Sequence, residues 1–321
     1  MNARRAVRRL AKGAGIAFLA GTLGGAALLA AEIVAARSRT YAKPDLGLTV
    51  RGMASEKGGA PLRLMLLGDA LALGVGVDTA EQTLGGQLIR MLSDAGANVT
   101  LSSVAVAGAR SADLATQVAR AQLGTKPDVA VILVGTNDAT HLVRPGEAAA
   151  HLATAVRRLR DGGTSVVVGT CPDLGTVRPI AQPLRWVTRR WSRRLAAAQT
   201  VAVVAEGGRT VAFADLLGPH FENFPGEMFG PDRYHPSARG YLHAAYAVLP
   251  SVCAALGLWP EPEPGRGDGS QPIHLAAAIA AEESGTEVTA TRVDGRTAGP
   301  RGRWARLLRR GGPPVEHTRV R

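Results

Sequence analysis

Asp232 and His235 stand three residues apart, a one-turn spacing that lets a carboxylate reach the Nδ1–H of the ring and hold it in one tautomer. An imidazole oriented in this way is a general base. Acyl transfer from an ester needs such a base together with donors for the oxyanion that forms. Two upstream positions offer donors: Asn137, in Gly135-Thr136-Asn137-Asp138, has a side-chain N–H, and Gly108 has a backbone N–H with no Cβ in the way. Each feature alone is ordinary turn chemistry, whether an Asn-Asp pair after a strand, a lone glycine or a helix-start histidine beside Pro236. Their order along the chain, with Gly68-Asp69-Ala70 placed ahead of them after an apolar run, makes them a set.

The elements that must position these residues follow from apolar periodicity. Continuous apolar runs predict strands near 62–68, 99–106, 128–134, 164–170 and 209–214. Helical patterns predict helices near 82–96, 111–123, 146–161, 184–205 and 236–256. Strands alternating with helices specify an α/β fold, because parallel strands need crossover connections and these cover both faces of the sheet. Ligands in such sheets bind beyond the carboxyl ends of the strands. Ala70, Gly108 and Asn137 all follow predicted strand ends and are expected to converge there.

In this order and at these spacings the four blocks resemble the SGNH (GDSL-type) ester hydrolase family, over roughly residues 61–257. The resemblance implies a three-layer α/β/α sandwich of flavodoxin-like kind, with a parallel five-stranded sheet in the order 2-1-3-4-5. It also implies deacylation of an acyl or acetyl ester by Ser-His-Asp chemistry without metal or organic cofactor. Carried over by motif, Gly108 and Asn137 match the oxyanion donors, Asp232 and His235 the acid and base, and Ala70 the nucleophile position, whose backbone N–H is a third oxyanion donor. The family has serine where this chain has Ala70. A methyl group cannot attack a carbonyl, Asp69 is expected to point elsewhere, and the nearest downstream hydroxyl, Thr79, is nine residues on. The chain as written is therefore expected to be inactive or nearly so. It is either a hydrolase that has lost its nucleophile or a pseudoenzyme that binds an acylated ligand at the cell surface.

Phe221, Phe224, Met228 and Phe229 fall immediately before Asp232, in a segment broken by Pro219, Pro225, Gly226 and Pro231. They read either as core or as an apolar wall for an acyl chain beside the base. The expected partner is a small-molecule acyl ester, lipid-like or an acylated glycan. The predicted helix around 184–199, with Arg185, Arg189, Arg190, Arg193 and Arg194 interleaved with Trp186 and Trp191, reads as a solvated face with two half-buried tryptophans.

The net charge of +12 is carried by the ends: residues 1–45 hold +6 and residues 289–321 hold +7, leaving −1 between them. That distribution argues against a globular nucleic-acid-binding domain, and no nucleic-acid partner is expected. A monomer is expected. Arg4, Arg5, Arg8, Arg9 and Lys12 precede an apolar stretch from Gly13 to Ala36, interrupted by Thr22 and Glu32. A helix of that length spans about 36 Å, enough to cross a bilayer core. Residues 1–36 are expected to be a signal-anchor or a cleavable signal peptide, which puts the domain outside the cytoplasm, membrane-anchored or secreted. A linker is expected over 37–60, the domain over 61–257, and a basic, mostly disordered tail over 258–321. Cys171 and Cys253 are expected to be two buried thiols.

Overall fold

A computed structural model of the chain describes residues 53–54, 61–258, 287–288, 292–293 and 296–297. The expected signal segment lies outside the described residues, as do most of the linker and tail. Five parallel strands form the centre: β2 (Leu62–Gly68), β3 (Val99–Ser103), β4 (Val129–Leu133), β5 (Ser165–Gly169) and β6 (Arg209–Val211). They lie in the order β3-β2-β4-β5-β6, which is the expected 2-1-3-4-5 arrangement. Two residues at either edge extend the sheet: β1 (Met53–Ala54) pairs antiparallel with β3, and β7 (Glu287–Val288) pairs parallel with β6. These short strands come from the segments expected as linker and tail. They satisfy edge backbone groups that an open sheet leaves unpaired. A two-stranded hairpin, β8 (Arg292–Val293) with β9 (Arg296–Thr297), follows.

Alternation along the strands sorts the core into two layers. Leu64, Leu66, Val129, Val131 and Val167 face one way, where they pack with α2 (Leu84–Asp94) and α10 (Ala238–Ala255). Met65, Leu67, Ala130, Ile132, Val166 and Val168 face the other way, against α3 (Leu114–Gln122) and α5 (Pro145–Asp161). Both sheet faces are therefore covered, which is why the central strands β2, β4 and β5 are largely apolar, whereas β3, nearer the edge, alternates. Cys171 and Cys253 are free and buried, as expected.

Short helices absent from the sequence reading cap the strands' carboxyl ends. α1 (Ala70–Leu73) follows β2, α4 (Thr136–Thr140) follows β4, and α7 (Phe213–Leu216), α8 (Gly218–Asn223) and α9 (Pro225–Met228) follow β6. Each is too short to carry a helical period, so its residues read as loop or strand end. The long α6 (Leu184–Ala205) runs beside α5 and reaches back to the same end of the sheet.

Candidate active site

β2 ends at Gly68, whose φ of +126° brings the backbone so close to β4 that a Cβ there would sit 1.8 Å from the carbonyl oxygen of Leu133. Only glycine permits this approach. The side chain of Gln117, from α3, satisfies both backbone groups of Gly68: its Oε1 accepts from the N–H at 2.7 Å and its Nε2 donates to the C=O at 2.9 Å. Asp69 then caps α1, Oδ1 accepting from the Leu71 N–H at 2.9 Å. This leaves Ala70 at the first position of α1, where its N–H has no intrahelical acceptor.

Gly108 has φ +82° and no atom within 4 Å of where a Cβ would stand. Backbone conformation rather than crowding is what calls for glycine here. Its loop is pinned by the neighbouring block. Asn137 donates Nδ2–H to the Ala109 carbonyl at 3.0 Å, and the Asp138 carboxylate accepts from the Ser111 N–H at 2.9 Å and from its hydroxyl at 3.0 Å. Burial pushes the Asp138 carboxyl up, against the hydrogen bonds from Ser111. The second Asn137 N–H faces Asp69 Oδ2 at a long 3.4 Å, so an oxyanion at this spot would compete with only a weak internal acceptor.

The acid and base are held by a closed turn. Gly230 N–H donates to the His235 carbonyl at 2.8 Å, and Asp232 Oδ1 accepts from the N–H groups of Tyr234 and His235, both at 2.9 Å. Asp232 Oδ2 lies 2.6 Å from His235 Nδ1. Burial works against ionisation of Asp232, but the hydrogen bonds from His235 and the two backbone N–H groups outweigh it and hold the carboxyl below its usual range. The ring is thereby fixed with Nδ1 toward the carboxylate, leaving Nε2 as the working nitrogen. Gly76, at φ +105°, lets a neighbouring loop pass against this turn, since a Cβ there would lie 2.8 Å from that of His235.

Ala70, Gly108, Asn137 and His235 line one cavity of about 450 Å³ at the carboxyl ends of the strands. Apolar side chains from separate elements close it, among them Leu71, Val75, Phe213 and Leu217. Of the expected acyl wall, Phe221 and Phe229 line it, packed edge to face with ring centroids 4.9 Å apart. The other two do not. Met228 is 1% exposed and belongs to the core beneath, and Phe224 is 49% exposed on the surface. Pro225 explains the split: the chain breaks between α8 and α9 at Phe224, so the aromatics on either side turn inward and the one at the break turns out.

Asp69 corrects another expectation. Rather than pointing elsewhere, it is 1% exposed, lines the cavity and reaches Asn137. Burial, with a smaller contribution from the charge of Asp138, pushes its carboxyl up to about 7 against the hydrogen bond from Leu71. Its cap position after an apolar strand was the available signal. The helix carrying the arginines presents the expected solvated face, with Arg190, Arg193 and Arg194 exposed and Trp191 half-buried. Arg189 and Arg193 turn to the buried Asp173, which lines the cavity, while Trp191 donates Nε1–H to the Val143 carbonyl at 2.8 Å. Trp186 is the exposed one of the pair.

This geometry can bind an acyl group in an apolar cavity, direct an imidazole at its carbonyl and offer N–H groups to the carbonyl oxygen. Known proteins resemble the chain in sequence and in fold. A GDSL-like esterase of Mycobacterium tuberculosis, Rv1075c, is 45% identical over 197 residues, which is 61% of this chain and 63% of that protein, so the match spans less than two thirds of the relative's length. A lipase/acylhydrolase from Enterococcus faecalis shares the fold at 20% identity, with a TM-score of 0.50 over 63% of this chain and 100% of that one. The model of the GDSL-like Lipase/Acylhydrolase family matches residues 66–243, more than half of the chain, and the chain belongs to that family.

Proposed function

We propose that this protein is an exported ester hydrolase site whose covalent step is disabled at Ala70, so that it binds acyl esters and turns them over at only a residual rate. The observation that carries this reading is the 2.6 Å Asp232–His235 contact on a cavity that also presents Ala70, Gly108 and Asn137. With serine at position 70, His235 would take the hydroxyl proton, Oγ would attack the carbonyl carbon, and the oxyanion would meet the N–H groups of Ala70, Gly108 and Asn137. With alanine, the route left is direct attack by water. His235 takes a proton from the water, the hydroxide adds to the carbonyl, and the tetrahedral intermediate expels the alcohol, which receives the proton back from His235. Sites stripped of one member of such a set retain roughly 10³–10⁴-fold catalysis over water.

A second reading, a module that holds an acylated ligand without chemistry, is favoured by Ala70 itself, because the rest of the site is intact. Hydrolysis of p-nitrophenyl butyrate separates the two. A rate above the buffer blank that vanishes in His235→Ala supports the residual route, and binding with no rate above the blank supports the module. Export rests on the basic flank before the apolar stretch 13–36. No helix among the described residues is long and apolar enough to cross a membrane. Protease added to intact cells is expected to clip the domain, and full protection in a soluble cytosolic fraction would refute export.

A further inference from the structure

The two halves of the site come from distant parts of the sequence: position 70 follows β2, whereas Asp232 and His235 precede α10. A proton passes between them only if their separation is fixed closely. The loop 74–77 is where the halves meet. On one side, the N–H groups of Gly74 and Val75 donate to the Ala70 carbonyl at 3.1 and 3.0 Å. On the other, Gly76 lies against the acid–base turn, where a Cβ would stand 2.8 Å from both the His235 Cβ and the Pro236 carbonyl oxygen. The contact is close from the turn's side too, since a Cβ at Gly230 would stand 2.9 Å from the Gly76 carbonyl oxygen.

Tyr241 anchors this loop. It sits in the first turn of α10, its ring lines the cavity, and its Oη–H donates to the Val75 carbonyl at 2.7 Å. The side chain is buried, and burial, with smaller contributions from the charges of Asp69 and Asp232, holds the phenol well above its usual range, so it remains a donor. Val75 is buried as well, and its carbonyl meets no other donor among the described residues. The start of α10 is itself tied down. Ser237 donates its N–H to the Met228 carbonyl at 2.9 Å, and Tyr241 donates its own to the Ser237 carbonyl at 2.9 Å. Backbone bonds, one phenolic hydroxyl and one van der Waals contact thus close a ring through Ala70, Val75, Tyr241, Ser237, His235 and Gly76.

We propose that Tyr241 is a positioning residue: its hydroxyl, acting through Val75 and Gly76, sets the reach of His235 to the reacting atom at position 70. The proposal rests on the acyl-ester reading given above. It is tested in the full chain carrying Ala70→Ser, where Tyr241→Phe deletes one oxygen and keeps the ring in the acyl wall. The expected result is a kcat at least about tenfold lower, with KM for p-nitrophenyl butyrate within about twofold. Fluorophosphonate labelling should slow by the same factor, because it uses the same proton transfer. Val248→Ala alters a core residue of the same helix that does not line the cavity. It should lower the melting temperature and leave kcat unchanged. Gly76→Ala presses on His235 without removing the phenol and should repeat the loss in kcat.

A kcat that falls no further in Tyr241→Phe than in Val248→Ala would overturn the proposal while leaving the acyl-ester reading standing. A raised KM with kcat and labelling intact would do the same, making Tyr241 part of the acyl wall alone. Failure of both Tyr241→Phe and Gly76→Ala to fold would also overturn it, since the link would then be a requirement of folding. A folded Ala70→Ser chain without activity or labelling would overturn the acyl-ester reading and this assignment together.

Discussion

On the side of the cavity formed by Ala70, Gly108 and Asn137, the backbone is held by buried polar side chains. On the side formed by Phe221, Phe229 and Tyr241, it is held mainly by packing. Gln117 clamps Gly68, Asp138 clamps Ser111, and Gln199 does the same for the β5 end, accepting from the Cys171 N–H at 2.8 Å and donating to the Val134 carbonyl at 2.9 Å. On the opposite wall Tyr241 Oη–H donates to the Val75 carbonyl at 2.7 Å and the Ser237 hydroxyl to the Glu227 carbonyl, and aromatic and aliphatic contacts form the lining itself. Directed bonds fix N–H positions to tenths of an ångström, which an oxyanion site requires. Packing fixes volume and shape, which an acyl chain requires.

The sharpest way to test that division is to restore the one missing group. Ala70→Ser places a hydroxyl at the first turn of α1, among donors that are already held in place. Hydrolysis of short-chain p-nitrophenyl esters is expected to rise at least about 10²-fold, with new labelling by fluorophosphonates. Both gains should be lost in the Ala70→Ser, His235→Ala double variant. A folded Ala70→Ser protein that neither hydrolyses nor labels would show that the polar side is not in working order and would favour the binding module.

Breaking the packed wall should act on stability and acyl binding together. Phe221→Ala removes a buried ring that packs edge to face with Phe229, and a loss of about 3 kcal/mol is expected in denaturant unfolding, with weaker ester binding. Unaltered stability would mean that the wall collapses to fill the space.

Asp69 sits where the two sides meet, and its effect should depend on pH. Its carboxyl is pushed up to about 7 in the folded protein, whereas in an unfolded chain it titrates near 4. Between those values the folded state holds a proton that the unfolded state has released, so stability falls as pH rises through this window. Asp69→Asn, which keeps the shape and cannot ionise, should lack that fall. It is expected to be more stable than the parent at pH 8 by about 4 kcal/mol, with the difference shrinking toward pH 4. Parallel stability curves across the window would show that Asp69 is not neutral in the folded state.

What could be read from the sequence follows the same division. The five strands, their order by resemblance, and the positions of Gly108, Asn137, Asp232 and His235 rest on short local signals, namely apolar runs, a positive-φ glycine and a one-turn acid–base spacing. The inward-facing Gln117 and Gln199 were not legible, because a glutamine on a helix gives no sign of which backbone group it will meet 49 or 65 residues away. The edge strands β1 and β7 were missed for a related reason: two residues carry no period.

The smallest predicted effect tests the one misplaced wall residue. Phe224 belongs by sequence to the aromatic cluster before Asp232, yet it stands at the break between α8 and α9 and its ring is half exposed outside the cavity. Its N–H still donates to the His220 carbonyl at 2.9 Å, and its carbonyl accepts from Met228 at 3.0 Å, so the backbone of the break is satisfied whatever the side chain. Phe224→Ala should therefore change stability by no more than about 0.5 kcal/mol and leave ester affinity where it was. Set beside Phe221→Ala, three residues away, it separates sequence proximity from position in the fold. A loss of ester binding comparable to that of Phe221→Ala would place Phe224 over the cavity mouth when a ligand is present, and would extend the packed wall to the surface.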